Sequence, residues 1–307
     1  MSVSSQDAFS KPLLRERVSS LLRERVATTI SPDVMRLMKK ARAEETSSSA
    51  REMLNTQIEN VVMAQEQGKP VCQSPGFPTA YIRYGGCVNI SELVEVLREE
   101  IVSATKDGFL RPSMVHPLTR KNTGDNSGIG VPNIELEHDA SLDFLEVIIS
   151  FKGCGAELGN AMRIFTPAQI GEDAAGIKEF VIDTVIKAGG KPCPPFAIGI
   201  GIGGQMDVAA KLSRRAVSIR KWTDRNPDPG LAAMETELLT MINQLGIGPG
   251  GIGGKTTALA VKIGMSHTHT AICPVAVNFY CWVARRAGMR IYPDGRTQYP
   301  FDEEASP

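Results

Sequence analysis

Little in this 307-residue chain marks it for a membrane, a polyanion or export. No apolar run approaches the roughly 18–20 residues that a bilayer-crossing helix needs. The start, MSVSSQDAFSKPLLRER, has no cationic stretch followed by an apolar one, so it does not read as a secretory signal. Asp7, Glu16 and Glu24 argue against an organellar transit peptide. Lysine plus arginine equals aspartate plus glutamate at 34 each, so no global field draws the chain to nucleic acid or anionic lipid. There is no Cys-x-x-Cys pair, and no period of 20–50 residues that would build a solenoid. The expectation is a cytoplasmic globular protein, 42% hydrophobic and long enough to bury a large core.

What the chain does have is six cysteines (Cys72, Cys87, Cys154, Cys193, Cys273 and Cys281) and 29 glycines that cluster rather than scatter. Without an export signal the cysteines read as metal ligands, catalytic thiols or small buried residues rather than disulfides. Clustered glycine suggests backbone brought close to a ligand. A duplicated octad, LLRERVSS then LLRERVAT, begins at Leu13 and suits an amphipathic surface helix. Ser31-Pro32-Asp33 starts a helix through Lys40, and 47–67, 91–105, 171–188, 206–219 and 231–244 continue the helical pattern. Strand-like runs occupy 80–84, 145–151, 257–264 and 272–280, and the tail YPDGRTQYPFDEEASP reads as polar surface. The mixed order predicts an α+β (mixed α/β) fold, with a helical segment over 1–46 ahead of a larger domain over 47–307.

Two glycine-rich segments invite nucleotide readings. Gly199, Gly201 and Gly204 match G-x-G-x-x-G, but Pro194-Pro195 cuts short the strand before them and no acid follows at a strand end. GPGGIGGKTT fails the strict P-loop pattern because Pro249 stands where a glycine is required, although its backbone N–H groups could still cradle an anion. His267 and His269 with Cys273 permit a zinc site that lacks a fourth ligand.

Five blocks, in order, carry a more specific signal: IENVVMAQEQGKPVCQ, LTRKNTGDN, GCGAELGN, KPCPPFAIGIGIGG with INQLGIGPGGIGGKTTALAVKI, and PVAVNFYCW. Together they resemble the alpha subunit of the iron-dependent class I fumarase and L(+)-tartrate dehydratase family over nearly the whole chain. The resemblance implies an iron–sulfur hydro-lyase with the fold of a class I fumarase N-terminal domain, its catalytic domain lying over 47–307. It implies a [4Fe–4S] cluster on Cys72, Cys193 and Cys281, with one iron free of protein ligands. Four thiolates would close such a cluster into an electron carrier; three leave a Lewis acid for a 2-hydroxy dicarboxylic acid such as tartrate or malate.

The same resemblance implies that Gln73, Arg111, Gly155 and His269 contact substrate, with Gln73 and His269 taking catalytic parts and His267 a lesser candidate. Arg111 would pair bidentately with a carboxylate. Arg120, Asn122, Asp125 and Asn126 would orient the site. Two departures stand out. Family members usually have Cys-Gln-Asp-Thr-Gly where this chain has Cys72-Gln73-Ser74-Pro75-Gly76, and Cys154 replaces a glycine. The family's beta portion, with its proton-transfer residues, has no counterpart here, so a beta-subunit partner and an α2β2 heterotetramer are expected. The competing expectation is a non-catalytic paralogue serving as a scaffold or regulatory subunit.

Overall fold

The structure, a computed structural model, describes residues 7–86 and 88–302. Cys87, the first six residues and the 303–307 end of the polar tail lie outside the described residues. The elements run α1 (Lys11–Ser20), α2 (Pro32–Glu44), α3 (Ser48–Glu66), β1 (Phe77–Tyr84), α4 (Ile90–Lys106), β2 (Asn133–His138) and β3 (Leu145–Lys152). There follow α5 (Cys154–Glu157), β4 (Ala161–Phe165), α6 (Pro167–Ile170), α7 (Ala175–Ala188), β5 (Phe196–Gly203), α8 (Met206–Ile219) and α9 (Pro229–Gln244). Strands β6 (Ala258–Ser266), β7 (Cys273–Tyr280), β8 (Arg285–Ile291) and β9 (Thr297–Gln298) complete the chain. Helices and strands both contribute and both sheets are mixed, an α+β arrangement. No helix among the described residues is long and apolar enough to cross a membrane.

The described residues form two units, each assembled from separated stretches: 7–32, 60–86, 88–152 and 283–302 in the first, 33–59 and 153–282 in the second. The division passes through α3.

In the first unit the sheet order is β2-β1-β3-β8-β9, with β1 and β2 parallel and the other neighbours antiparallel. β3 is buried along its whole length, including the polar Glu146 and Ser150 of its largely apolar run LEVIISF, as befits a central strand. The duplicated octad does not make a surface helix. Leu14 and Val18 in α1, and Leu22 and Val26 in the π-type turn Leu21–Ala27 that follows, are all fully buried. They pack with Leu93, Val96, Leu97 and Ile101 of α4 against the sheet. The octads' polar face meets α4 in a seam of ion pairs: Lys11 with Glu95 at 2.9 Å, Arg23 with Glu100 and Asp107 at 2.8 Å each, and Arg15 with Glu99. Exposed pairs of this kind contribute about 0–1 kcal/mol, whereas burying a Leu or Val contributes about 1.5–3 kcal/mol, so the apolar side holds the helix. Leu22→Ala should therefore cost about 2–5 kcal/mol in denaturant unfolding. Lys11→Ala, which removes only part of the exposed seam, should cost less than about 1 kcal/mol.

In the second unit the order is β4-β7-β5-β6, with β5 and β6 parallel and β7 antiparallel to both its neighbours. Strand β5 reads FAIGIGIG, and strand alternation sends its two residue types to opposite faces. Phe196, Ile198 and Ile200 pack with Ile177, Val181 and Val185 of α7 and with Leu238 and Ile242 of α9. On the other face, a β-carbon on Gly199 or Gly201 would overlap the carbonyl oxygens of Ser213 or Ala209 in α8. Helix α8 therefore rests directly on the strand backbone.

Edge strand β6 is tied down by side chains. Glu235 accepts from the Ile263 N–H at 2.7 Å, Asn226 and Arg220 donate to the Ile263 carbonyl, and Asn243 takes the Thr257 and Ala258 N–H groups. Such covering protects an edge from pairing with other chains. The polar segment WTDRNPDPG thus belongs to the edge of a sheet.

Candidate active site

Each unit presents its own share of the expected site residues. In the first unit, Val71 is held by both backbone groups: its N–H donates to the Ala27 carbonyl at 3.0 Å and its carbonyl accepts from Asn60 Nδ2 at 2.9 Å. The half-buried Cys72 follows, its Sγ accepting the Ser74 N–H at 3.5 Å, and Gln73 is exposed beside it. Hydrogen bonds of this type to sulfur are among the means by which proteins tune iron–sulfur sites.

Arg111 is exposed and forms no ion pair with any described residue, so it is not the surface ion pair that a lone arginine usually makes. Its backbone is firmly held. The buried Asn126 donates through Nδ2 to the Arg111 carbonyl and to Thr105 Oγ1, each at 3.0 Å, and its Oδ1 accepts from the Ser113 and Met114 N–H groups at 2.7 and 3.2 Å. Asn122 holds the Pro112 carbonyl at 3.1 Å. Asn126 has φ of 58°, a left-handed conformation that asparagine tolerates better than most residues. Of the block read as orienting groups, Asn122 and Asn126 touch the Arg111 segment. Asp125 instead caps the turn at Ser127, and Arg120 is exposed.

In the second unit three segments meet where β5 begins and β7 ends. Asn160 accepts the Phe279 N–H at 3.0 Å. A β-carbon on Gly159 would lie 2.9 Å from Phe279 and 3.1 Å from Pro192, and one on Gly155 would lie 3.4 Å from the Lys191 carbonyl. Tyr280 pairs with Ala197 across the strands, so Cys281 leaves β7 at the end from which β5 is entered after Cys193. Cys193 and Cys154 are exposed and Cys281 is buried. Cys193 also has φ of 55°, a conformation that costs a residue with a β-carbon about 1–3 kcal/mol and that recurs at functional positions.

His269 is not brought to this end. It lies exposed in the β6–β7 turn, its Nδ1 accepting the Ala271 N–H at 3.2 Å. The eight residues of β7, about 25 Å of strand, separate it from Cys281. Cys273 at the near end of β7 is buried, and desolvation pushes its thiol up. Among the described residues no three His, Cys, Asp or Glu side chains form a group that could hold a metal ion, and this applies to Cys72, Cys193 and Cys281 as it does to the His267, His269 and Cys273 alternative.

Both glycine-rich segments have structural explanations. Gly199 and Gly201 lie within strand β5 rather than in a turn after it, and their bareness admits α8. In GPGGIGGKTT the N–H groups of Gly250, Gly251, Ile252 and Gly253 go to backbone carbonyls, and those of Lys255 and Thr256 to the chain's own carboxylate, Glu45. Glu45 Oε2 accepts from the Lys255 N–H at 2.8 Å and Oε1 from Thr46 and Ser47 at 2.9 and 3.0 Å. Burial opposes its ionisation, but these bonds and one from Thr256 outweigh it and hold the carboxyl below its ordinary range. A cavity of about 870 Å³ lies elsewhere in this unit beside Trp222, Asp224, Glu235 and Lys262. Its charges are spent on one another: Lys262, whose ammonium burial pushes down, donates to Asp224 at 2.8 Å, and Arg220 grips Asp224 and Glu235.

The chain matches the fumarate hydratase (Fumerase) family over residues 16–290. It belongs to that family. It is 42% identical to the "Putative L(+)-tartrate dehydratase subunit alpha" of Methanocaldococcus jannaschii, covering 91% of this chain and 98% of the relative. It is 30% identical to the L(+)-tartrate dehydratase subunit alpha of Escherichia coli K12, over 88% of each chain. It is 35% identical to the "Putative fumarate hydratase class I" of Geobacillus stearothermophilus, over 87% of this chain but only 53% of that relative. The family is one of hydro-lyases, and this member is an enzyme of that class.

Two substitutions separate glycine's architectural use from its use at the site. Gly201→Ala should abolish soluble expression, because a methyl group has nowhere to go between β5 and α8. Gly155→Ala should leave the melting temperature within about 2 °C, since its added methyl meets only one ordinary contact. Glu45→Gln should cost about 1–3 kcal/mol at pH 7 by leaving part-buried N–H groups unpaired. Because the folded-state pKa of Glu45 is depressed, its contribution is present above the ordinary carboxylate range and lost on acidification. Urea unfolding should therefore show wild type and variant converging below about pH 4.

Proposed function

We propose that this chain is the alpha subunit of a [4Fe–4S]-dependent hydro-lyase that reversibly dehydrates a 2-hydroxy dicarboxylic acid, tartrate to oxaloacetate or malate to fumarate. The observation that carries the reading is the pair Cys193 and Cys281 at one end of the second sheet, with Cys193 exposed in a strained left-handed turn. Cys72, Cys193 and Cys281 are the proposed cluster ligands. What supports the group is the chemistry of the donors: three thiols, a set that would leave one iron of such a cluster open, one of them accepting a backbone N–H. When bound, the cluster supplies a Lewis-acidic iron for hydroxyl and carboxylate oxygens.

The chain's own residues bind and orient. Arg111 offers an uncommitted guanidinium from a backbone fixed by Asn126, suited to bidentate pairing with a carboxylate. Gln73, next to Cys72, supplies an amide for the hydroxyl or carboxylate of substrate, and Gly155 lets the substrate approach backbone. His269, a strand's length from Cys281, is proposed as a carboxylate donor only within an assembly of several chains. Removal of the proton next to the carboxylate is assigned to a beta-subunit partner. Two relatives are named alpha subunits, and the Geobacillus relative is about twice the length this chain covers, as a fused alpha and beta pair would be.

The test is anaerobic reconstitution with iron and sulfide, alone and with a beta-type partner. The full chain should turn brown, bleach in air and dehydrate tartrate or malate only with the partner. A chain that stays colourless, or that turns over either acid alone, sinks the proposal. Arg111→Lys should raise KM roughly tenfold or more with a smaller change in kcat, the share of a charge-assisted bidentate contact.

A further inference from the structure

Helix α3 reaches the Cys193 turn with one buried side chain, Gln57. Its Nε2 donates to the Pro194 carbonyl at 3.2 Å, and that same oxygen accepts the Gly250 N–H at 2.9 Å. Gly250 belongs to the glycine-rich turn that Glu45 closes, and the neighbouring Gly251 lies against Gly190, whose carbonyl accepts the Cys193 N–H at 3.1 Å. The turn carrying Cys193 thus rests on a backbone platform and is held from α3 by the Gln57 amide.

The other end of that amide is anomalous. Gln57 Oε1 is buried and accepts no hydrogen bond from a described residue, although Gln57 is only 5% exposed. Such an atom costs about 1–3 kcal/mol, and a leucine or methionine of similar size would avoid the cost. Turning the amide over would set Oε1 against the Pro194 carbonyl, two acceptors face to face. The amide earns its place through Nε2, next to a cysteine whose left-handed backbone needs to be held by its surroundings.

We infer that Gln57 is a positioning residue for the Cys193 thiol: by fixing the Pro194 carbonyl it holds the Cys193 backbone and so sets the direction in which Sγ points. The inference rests on the iron–sulfur reading given above. Its test uses the full chain carrying Gln57→Met, and Gln57→Leu should the first prove insoluble. Three readouts apply: the melting temperature of the cluster-free chain, hydrogen–deuterium exchange over residues 190–196, and the rate at which the anaerobically reconstituted cluster bleaches in air.

The expected result is a melting temperature equal to or above wild type, faster exchange confined to 190–196, and bleaching about tenfold faster, the size of effect typical when a group supporting a ligand is lost. Wild-type bleaching with wild-type exchange overturns the inference. So does a lowered melting temperature with exchange raised throughout the second unit, which is what a purely stabilising residue would give. If the wild-type chain takes up no cluster, the iron–sulfur reading is the one that fails, and local exchange at 190–196 alone decides for or against Gln57.

Discussion

In the second unit, helix α8 and strand β5 touch backbone to backbone, and most of what surrounds them follows from that contact. Only glycine at 199 and 201 permits it, because any β-carbon there would overlap a helix carbonyl. With one face of β5 given to α8, its isoleucines must all turn to α7 and α9. The strand is thereby fixed in register and in direction. Its entry carries the Cys193 turn; its exit carries Gly203 and Gly204, where the Gly204 N–H donates to the His267 carbonyl. Cysteine and histidine motifs that look adjacent in a list of functional residues are consequently held at opposite ends of one sheet.

A second regularity concerns where polar side chains are spent. Glu45, Gln57, Asn126, Asn160 and Asn243 face inward and bind backbone groups of turns and strand ends. Gln73, Arg111, Cys193 and His269 face solvent. A buried amide that satisfies a carbonyl or N–H stabilises modestly, but removing it strands its partner, so these residues fix geometry more than they add net stability. Of the exposed set, Gln73 and Arg111 can meet a ligand without first breaking a side-chain hydrogen bond to a described residue. Arg111 shows both halves of the arrangement, its main chain committed to Asn126 and its guanidinium uncommitted.

Much of this was legible in the sequence where local pattern and burial agree. Helices α4, α8 and α9 and strands β3, β6 and β7 fall within a few residues of their expected bounds. Strand β5 was truncated in expectation by Pro194-Pro195, yet the prolines precede the ladder rather than interrupt it. Strand β4 has an exposed middle, and β8 buries Arg285 and Arg286, so neither shows the alternation that announces a strand. The octads read as surface because their charges are conspicuous, while the deciding Leu and Val positions face a helix distant in sequence. The family blocks located the cysteines. Glu45 and Gln57 belong to no motif that names their role, because that role is defined by turns roughly 140–210 residues away.

Glycine misled for a physical reason that bears on the site itself. A bare backbone serves equally for approach by a phosphate, by a helix or by another turn, and composition cannot tell these apart. At GPGGIGGKTT the question is settled by occupancy and charge: backbone carbonyls take the N–H groups of Gly250 to Gly253, Glu45 takes those of Lys255 and Thr256, and a second anion there would meet its repulsion as well as its bulk. A turn so closed is rigid, and rigidity at Gly250 is transmitted to the Pro194 carbonyl through one short hydrogen bond. Strain at Cys193 is tolerable only because its neighbours on both sides are fixed in this way. The glycine-rich turn therefore serves as a support for the left-handed backbone of Cys193 rather than as a cradle for an anion.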